Sequence, residues 1–160
     1  MANSVVSQIA AAVVAELNAA GSLLVPAVGD PLAVAARAYA PVFDLGEMAG
    51  LHVTVVPKAA SAERLDRSSR QFDYSIDVAV QKKLGPPAGD GSPEQADNTE
   101  IDGLMLLAEQ IADHFFGRRP ATFSQAVCLR VDNEPIYSPD HLRELRQFTS
   151  VLTLVFRVIR

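Results

Sequence analysis

Gln71-Phe72-Asp73-Tyr74-Ser75-Ile76-Asp77-Val78-Ala79-Val80-Gln81 is the stretch whose reading decides the fold. Phe72, Tyr74, Ile76, Val78 and Val80 alternate strictly with polar or small residues. Side chains of a strand point alternately to its two faces, so this spacing predicts one buried face and one that meets water or a partner. Alternation favours an antiparallel sheet, because parallel strands are covered on both sides and read as continuous apolar runs. Asp73 and Asp77 fall on the polar face, about 13 Å apart at ~3.3 Å per residue. That is too far for a coupled carboxylate pair, so they read as solvated or interface charges.

Upstream, residues 51–57 read as a second strand, ended by Pro57, and residues 58–70 as a polar loop carrying Lys58, Arg64, Arg67 and Arg70. That loop is long for a hairpin. A short strand is expected at about 34–40, confined to an edge or an end by Pro41. Loop residues fill 22–32, and Asp44–Met48 reads as a turn or short helix. Residues 3–20 carry Val6, Ile9, Val13, Leu17 and Ala20 at three- and four-residue spacing, one apolar stripe of a helix. Asn3 or Ser4 can cap its start and Gly21 its end.

Downstream, residues 84–98 are rich in Pro and Gly and read as a flexible connector. A second helix is expected to open at Thr99, with Asp102 completing a capping box, and to end at Gly117. Its buried stripe is Ile101, Leu104, Leu107, Ala108, Ile111 and Phe115. Residues 122–131 read as a strand, Asp132-Asn133-Glu134-Pro135 as a turn and Ile136-Tyr137 as a short strand. Ser138-Pro139-Asp140 opens a helical turn through Leu145. Residues 147–159 form a closing strand with two apolar faces, Phe148, Leu152, Leu154, Phe156 and Val158 on one, and Thr149, Val151, Thr153, Val155, Arg157 and Ile159 on the other. Such a strand should be central, or its second face should be covered. The fold class is therefore α+β: an antiparallel or mixed sheet of about five strands with two main helices packed on one face, in a single domain over 1–160.

Composition narrows the function. The chain is 49% apolar and 21% charged, ordinary for a globular protein. No apolar run approaches the ~18 residues of a membrane span. The start, Met1-Ala2-Asn3-Ser4, lacks the basic segment that opens a secretory signal. The one cysteine, Cys128, excludes an intrachain disulfide and fits a reducing compartment. Net charge is −5, a poor starting point for a nucleic-acid binder. The charge is uneven, because residues 84–117 carry seven carboxylates and no Lys or Arg. That segment is either a solvated loop and helix face or a patch that meets a basic patch of another subunit.

No pattern for catalysis or metal binding emerges. His52, His114 and His141 form no His-x-x-x-His pair and have no second Cys or His beside them. Cys128, in mid-strand, reads as a small buried hydrophobe. There is no nucleophile elbow and no phosphate-binding glycine loop. The expectation is a protein that is not an enzyme, with no cofactor.

Three stretches carry a resemblance: Leu51-His52-Val53-Thr54-Val55-Val56-Pro57, Ser69-Arg70 leading into Asp73–Gln81, and the closing run Phe148-Thr149-Ser150-Val151-Leu152-Thr153-Leu154-Val155-Phe156-Arg157. With the order of elements, they resemble the tail terminator, or tail-completion, proteins of long-tailed bacteriophages, over about residues 5 to 158. The family has no catalytic motif, so no functional residue is carried over. The resemblance implies a homo-oligomeric ring, commonly of six subunits, that caps the tail tube, stops its growth and offers a surface to the head–tail connector. It implies a place in the virion at the tail–neck junction, after assembly in the host cytoplasm, with the tail tube protein and a neck protein as partners. DNA would pass the lumen without specific binding, which suits an acidic chain. The candidate interface residues are Arg64, Arg67, Arg70, Asp73 and Asp77. The alternatives are another neck component, such as a connector subunit, or a small-ligand-binding α+β domain.

Overall fold

A computed structural model of the chain describes residues 2–20, 24, 35–40, 50–85 and 93–160, with the side chains of 93–97 outside the description. Helix α1 spans Val5–Ala20. Its first turn is closed by Ser4, whose Oγ accepts from the Ser7 N–H at 3.3 Å. Ile9, Val13 and Leu17 are fully buried, as the stripe predicts. The Gly21 cap, the loop 22–32 apart from Leu24, and the turn at Asp44–Met48 lie outside the described residues.

The sheet has five strands in the order β1-β2-β3-β5-β4. They are β1 (Ala36–Arg37), β2 (His52–Arg64), β3 (Arg70–Lys83), β4 (Val127–Asp132) and β5 (Gln147–Ile159). β1 runs parallel to β2 and every other pairing is antiparallel, so the sheet is mixed. The closing strand β5 is central, held between β3 and β4. Helix α2 (Pro93–Phe115) packs on β5 and β4, α1 packs on β1, β2 and β3, and the short α3 (Pro139–Leu145) packs on β5.

One core joins these layers. Val53, Val55, Ile76, Val78, Val80, Leu152, Leu154 and Phe156 project from one face of the sheet into the α1 and α2 stripes. Phe115 of α2 meets Phe156 of β5 edge-to-face, with ring centroids 6.4 Å apart. Helix and sheet each bury their apolar side against the other, which is what makes two layers stable. α3 is capped by Ser138, whose Oγ accepts from the His141 N–H, with Pro139 in the first turn where its missing N–H does no harm.

Five expectations about the elements need correction. The polar stretch 58–70 is mostly strand: β2 continues to Arg64, each residue of 59–64 pairs with β3, and only residues 65–69 turn. Pro57 does not end β2: among the described residues β1 pairs only with Thr54 and Val55, so no strand lies beside Pro57 on that edge, and a bulge between Pro57 and Ala59 absorbs the proline. Residues 93–98, expected in the flexible connector, are helical, so Thr99 lies inside α2 and does not cap it. A proline is harmless at the first helical position, so Pro93 opens α2 where composition reads as loop; residues 86–92 lie outside the description. β4 begins at Val127, not 122, because residues 120–126 are tied into successive turns by Phe123 N–H to Pro120 O and Ala126 N–H to Phe123 O. Ile136-Tyr137 is not a strand; Tyr137 packs on Phe148 instead.

Candidate interaction surfaces

The β2–β3 hairpin extends past the helices. Every residue from Lys58 to Arg64 is exposed, although 59–64 are paired with β3. Its tip is organised by Asp66, whose Oδ1 accepts from the backbone N–H groups of Ser68 and Ser69, both at 2.7 Å, and from Ser68 Oγ at 3.0 Å. These bonds, that of the Ser68 N–H first, hold the Asp66 carboxyl below its ordinary range. The backbone oxygen of Asp66 accepts from Arg64 Nε at 2.9 Å. Next to the tip, Arg70 and Arg160 exchange backbone hydrogen bonds of 2.7 and 3.0 Å. The Arg160 guanidinium lies 4.4 Å from the centre of the Phe72 ring, a cation–π contact. Arg67, Ser68, Arg70, Phe72 and Arg160 line an open cleft of about 380 Å³.

The face of the sheet away from the core carries the two carboxylates singled out in the sequence. Asp73 accepts from Arg157 Nε at 2.8 Å and from its second nitrogen at 2.9 Å, a bidentate pair between adjacent strands. These bonds hold Asp73 below, and Arg157 above, their ordinary ranges. Asp77 accepts from Thr153 Oγ1 at 2.7 Å and faces Lys58 Nζ at 3.4 Å. Lys58 is the extra residue of the bulge, which turns it towards Asp77. Asp73 and Asp77 thus share one face, as expected, but both are compensated inside the chain. Of the five interface candidates, Arg64 is engaged by the tip backbone, and Arg67 and Arg70 have side chains without a hydrogen-bond or ion-pair partner among the described residues.

The third surface is the outer side of α2. Asp102, Leu106, Glu109 and Asp113 are all exposed at helical spacing, and Phe116 continues the line just past the helix. It lies opposite the buried stripe Leu104, Leu107, Ala108, Ile111 and Phe115. The acidic run 84–117 is visible in the sequence as a loop and helix face, but its count of charges alone does not single out these residues as a line. The complement of the buried stripe, taken at the same period, would have found them together with Leu106 and Phe116.

The remaining polar groups of interest serve the fold. Glu16 of α1 accepts from the Ala121 N–H at 2.8 Å and meets His114 Nε2 at 3.1 Å, tying α1 to the end of α2. The Ala121 N–H is the main cause that depresses the Glu16 carboxyl. Cys128 is fully buried, and burial pushes its thiol up to about 11. His141 Nδ1 lies 3.0 Å from Thr149 Oγ1. Among the described residues no three His, Cys, Asp or Glu side chains gather as a metal site would need. No helix among them is long and apolar enough to cross a membrane.

In comparisons with known proteins, no family model and no curated protein matches this chain.

Proposed function

We propose that this protein is a structural subunit that assembles into a ring, of six copies, on the end of a bacteriophage tail tube. There it stops tube growth and offers the head–tail connector a surface. The observation that carries the reading is the exposed β2–β3 hairpin. Its outer residues are exposed, its edge beyond Val55 has no strand beside it among the described residues, and Arg67 and Arg70 at its end have no side-chain partner among them. Open strand edges and unpaired charges on an ordered arm are surfaces for another chain. The resemblance of residues 51–57, 69–81 and 148–157 to tail terminators supplies the biological setting. In that setting the tail tube protein and a neck protein are the partners, the virion is the location, and the acidic chain lets DNA pass through the lumen.

The test is to add purified protein to tail tubes and image their ends. A ring with six-fold symmetry at one end of the tube is expected, with tubes of defined length. Absence from tube ends, or a single copy with no rotational symmetry, sinks the reading. Binding to head connectors without binding to tube ends would favour a connector subunit instead.

A further inference from the structure

Two unlike surfaces stand out among the described residues for charges that no neighbour in the chain balances. Lys58, Arg130, Arg143 and Arg157 are paired with Asp77, Asp132, Asp140 and Asp73, and Lys82 lies 3.2 Å from Glu100. Among the described residues, Arg67 and Arg70 at the hairpin tip form no ion pair, and neither do Asp102, Glu109 or Asp113 on α2. Each surface also exposes large apolar side chains. Leu65 is 49% exposed at the tip and Ile159 60% exposed beside it, while Leu106 and Phe116 are 44% and 63% exposed along the stripe. At the tip, Arg64, Arg67, Arg70 and Arg160 outnumber the carboxylates Glu63 and Asp66, and Asp66 is tied into its own turn, while Leu106 lies among Asp102, Glu109 and Asp113, so the two mixed apolar and charged patches have opposite net sign, as a contact requires.

We propose that the hairpin tip of one copy docks on the α2 stripe of a second copy, with Arg67 and Arg70 against Asp102, Glu109 and Asp113, and Leu65 against Leu106. The inference rests on the self-assembly reading above and assigns its contact. The two surfaces differ and lie on different elements, so each copy gives one and receives the other. That is a head-to-tail contact, which closes into a ring when the rotation between copies divides the circle. Exposed charges are screened over about 8–10 Å at physiological salt, so the association falls as salt rises.

Two variants test this. In R67E/R70E both surfaces become acidic, and in E109K/D113K both become basic. All four positions are exposed, so both variants should keep the wild-type circular dichroism. By sedimentation at low salt, wild type should associate more with rising concentration, and each variant alone should associate at least about tenfold more weakly. An equimolar mixture of the two should recover the wild-type association, because each tip then meets a stripe of opposite sign. The proposal is overturned if wild type stays monomeric at millimolar concentration and low salt, if either variant associates like wild type, or if the mixture fails to recover. Capping of tail tubes is scored separately. A mixture that associates but does not cap tubes keeps the contact and removes the terminator reading.

Discussion

Cys128 shows how burial sets the behaviour of a single side chain. Its thiol is pushed up to about 11 by burial, so almost none is thiolate at pH 8. A thiol reagent should leave it unmodified in the folded protein and label it fully in denaturant; rapid labelling of folded protein would contradict this. Glu16 makes the opposite case. Its carboxyl is held below its ordinary value of 4.5, chiefly by the Ala121 N–H. A depressed carboxyl contributes stability that is fully present above the unfolded value and is lost as pH falls through the folded one. Glu16→Gln should therefore destabilise the protein at pH 7 by about 1 kcal/mol. The difference should shrink as pH drops below 4.5, measured as urea midpoints across pH. A gap that stays constant into the acid range would mean the charge of Glu16 is irrelevant.

Among the elements, β5 holds the sheet to the helices. Phe156 is fully buried, paired with Tyr74 and Cys128 on its neighbours and packed on Phe115 of α2. Phe156→Ala should cost about 3–5 kcal/mol, because the cavity lies where a helix and three strands meet and cannot collapse. Chemical denaturation measures it, and a loss below about 1 kcal/mol would show that this part of the core is loosely packed. The β2–β3 hairpin lies at the other extreme of order. Along Lys58–Arg64 one edge pairs with β3, and the other has no strand beside it among the described residues. Amide exchange there should alternate, slow where the N–H faces β3 and fast where it faces outward. In β3 and β5 it should be uniformly slow. Uniform protection of 58–64 in the free protein would mean that the open edge is already covered.

At the scale of the whole molecule, both helices lie on one face of the sheet, and the other face is lined by cross-strand pairs such as Asp73 with Arg157. In the proposed assembly, the tip and the α2 stripe would meet two different neighbours without disturbing the core. R64E/R67E/R70E should accordingly fold with an unchanged circular dichroism spectrum and fail to join tails, as judged by sedimentation of the tails. Exposed ion pairs contribute only about 0–1 kcal/mol each, so single reversals should have small effects, and the loss should appear through repetition around the ring. A triple variant that caps tails normally at moderate salt would place the interface elsewhere.

The sequence by itself determined the elements whose signal is periodic and local. The α1 stripe, the alternation of Phe72–Val80, the two-faced run of β5 and the Ser138 cap can each be read from neighbours within one or two turns. That reach was enough for the α+β class; for β5 it left a central place or a covered second face, and the sheet order decided for the centre. Tertiary structure decided where pairing outweighs composition. Residues 59–64 are small or charged, yet they are strand because β3, itself held by β5, pairs with each of them. Pro57 stays within β2 because no strand among the described residues pairs with that edge. It also decided which charges remain available. Asp73 and Asp77 look free in the sequence, but Arg157 and Lys58, far away along the chain, lie across the sheet from them. Register across strands, which no local pattern encodes, leaves Arg67 and Arg70 on one surface and the α2 carboxylates on another.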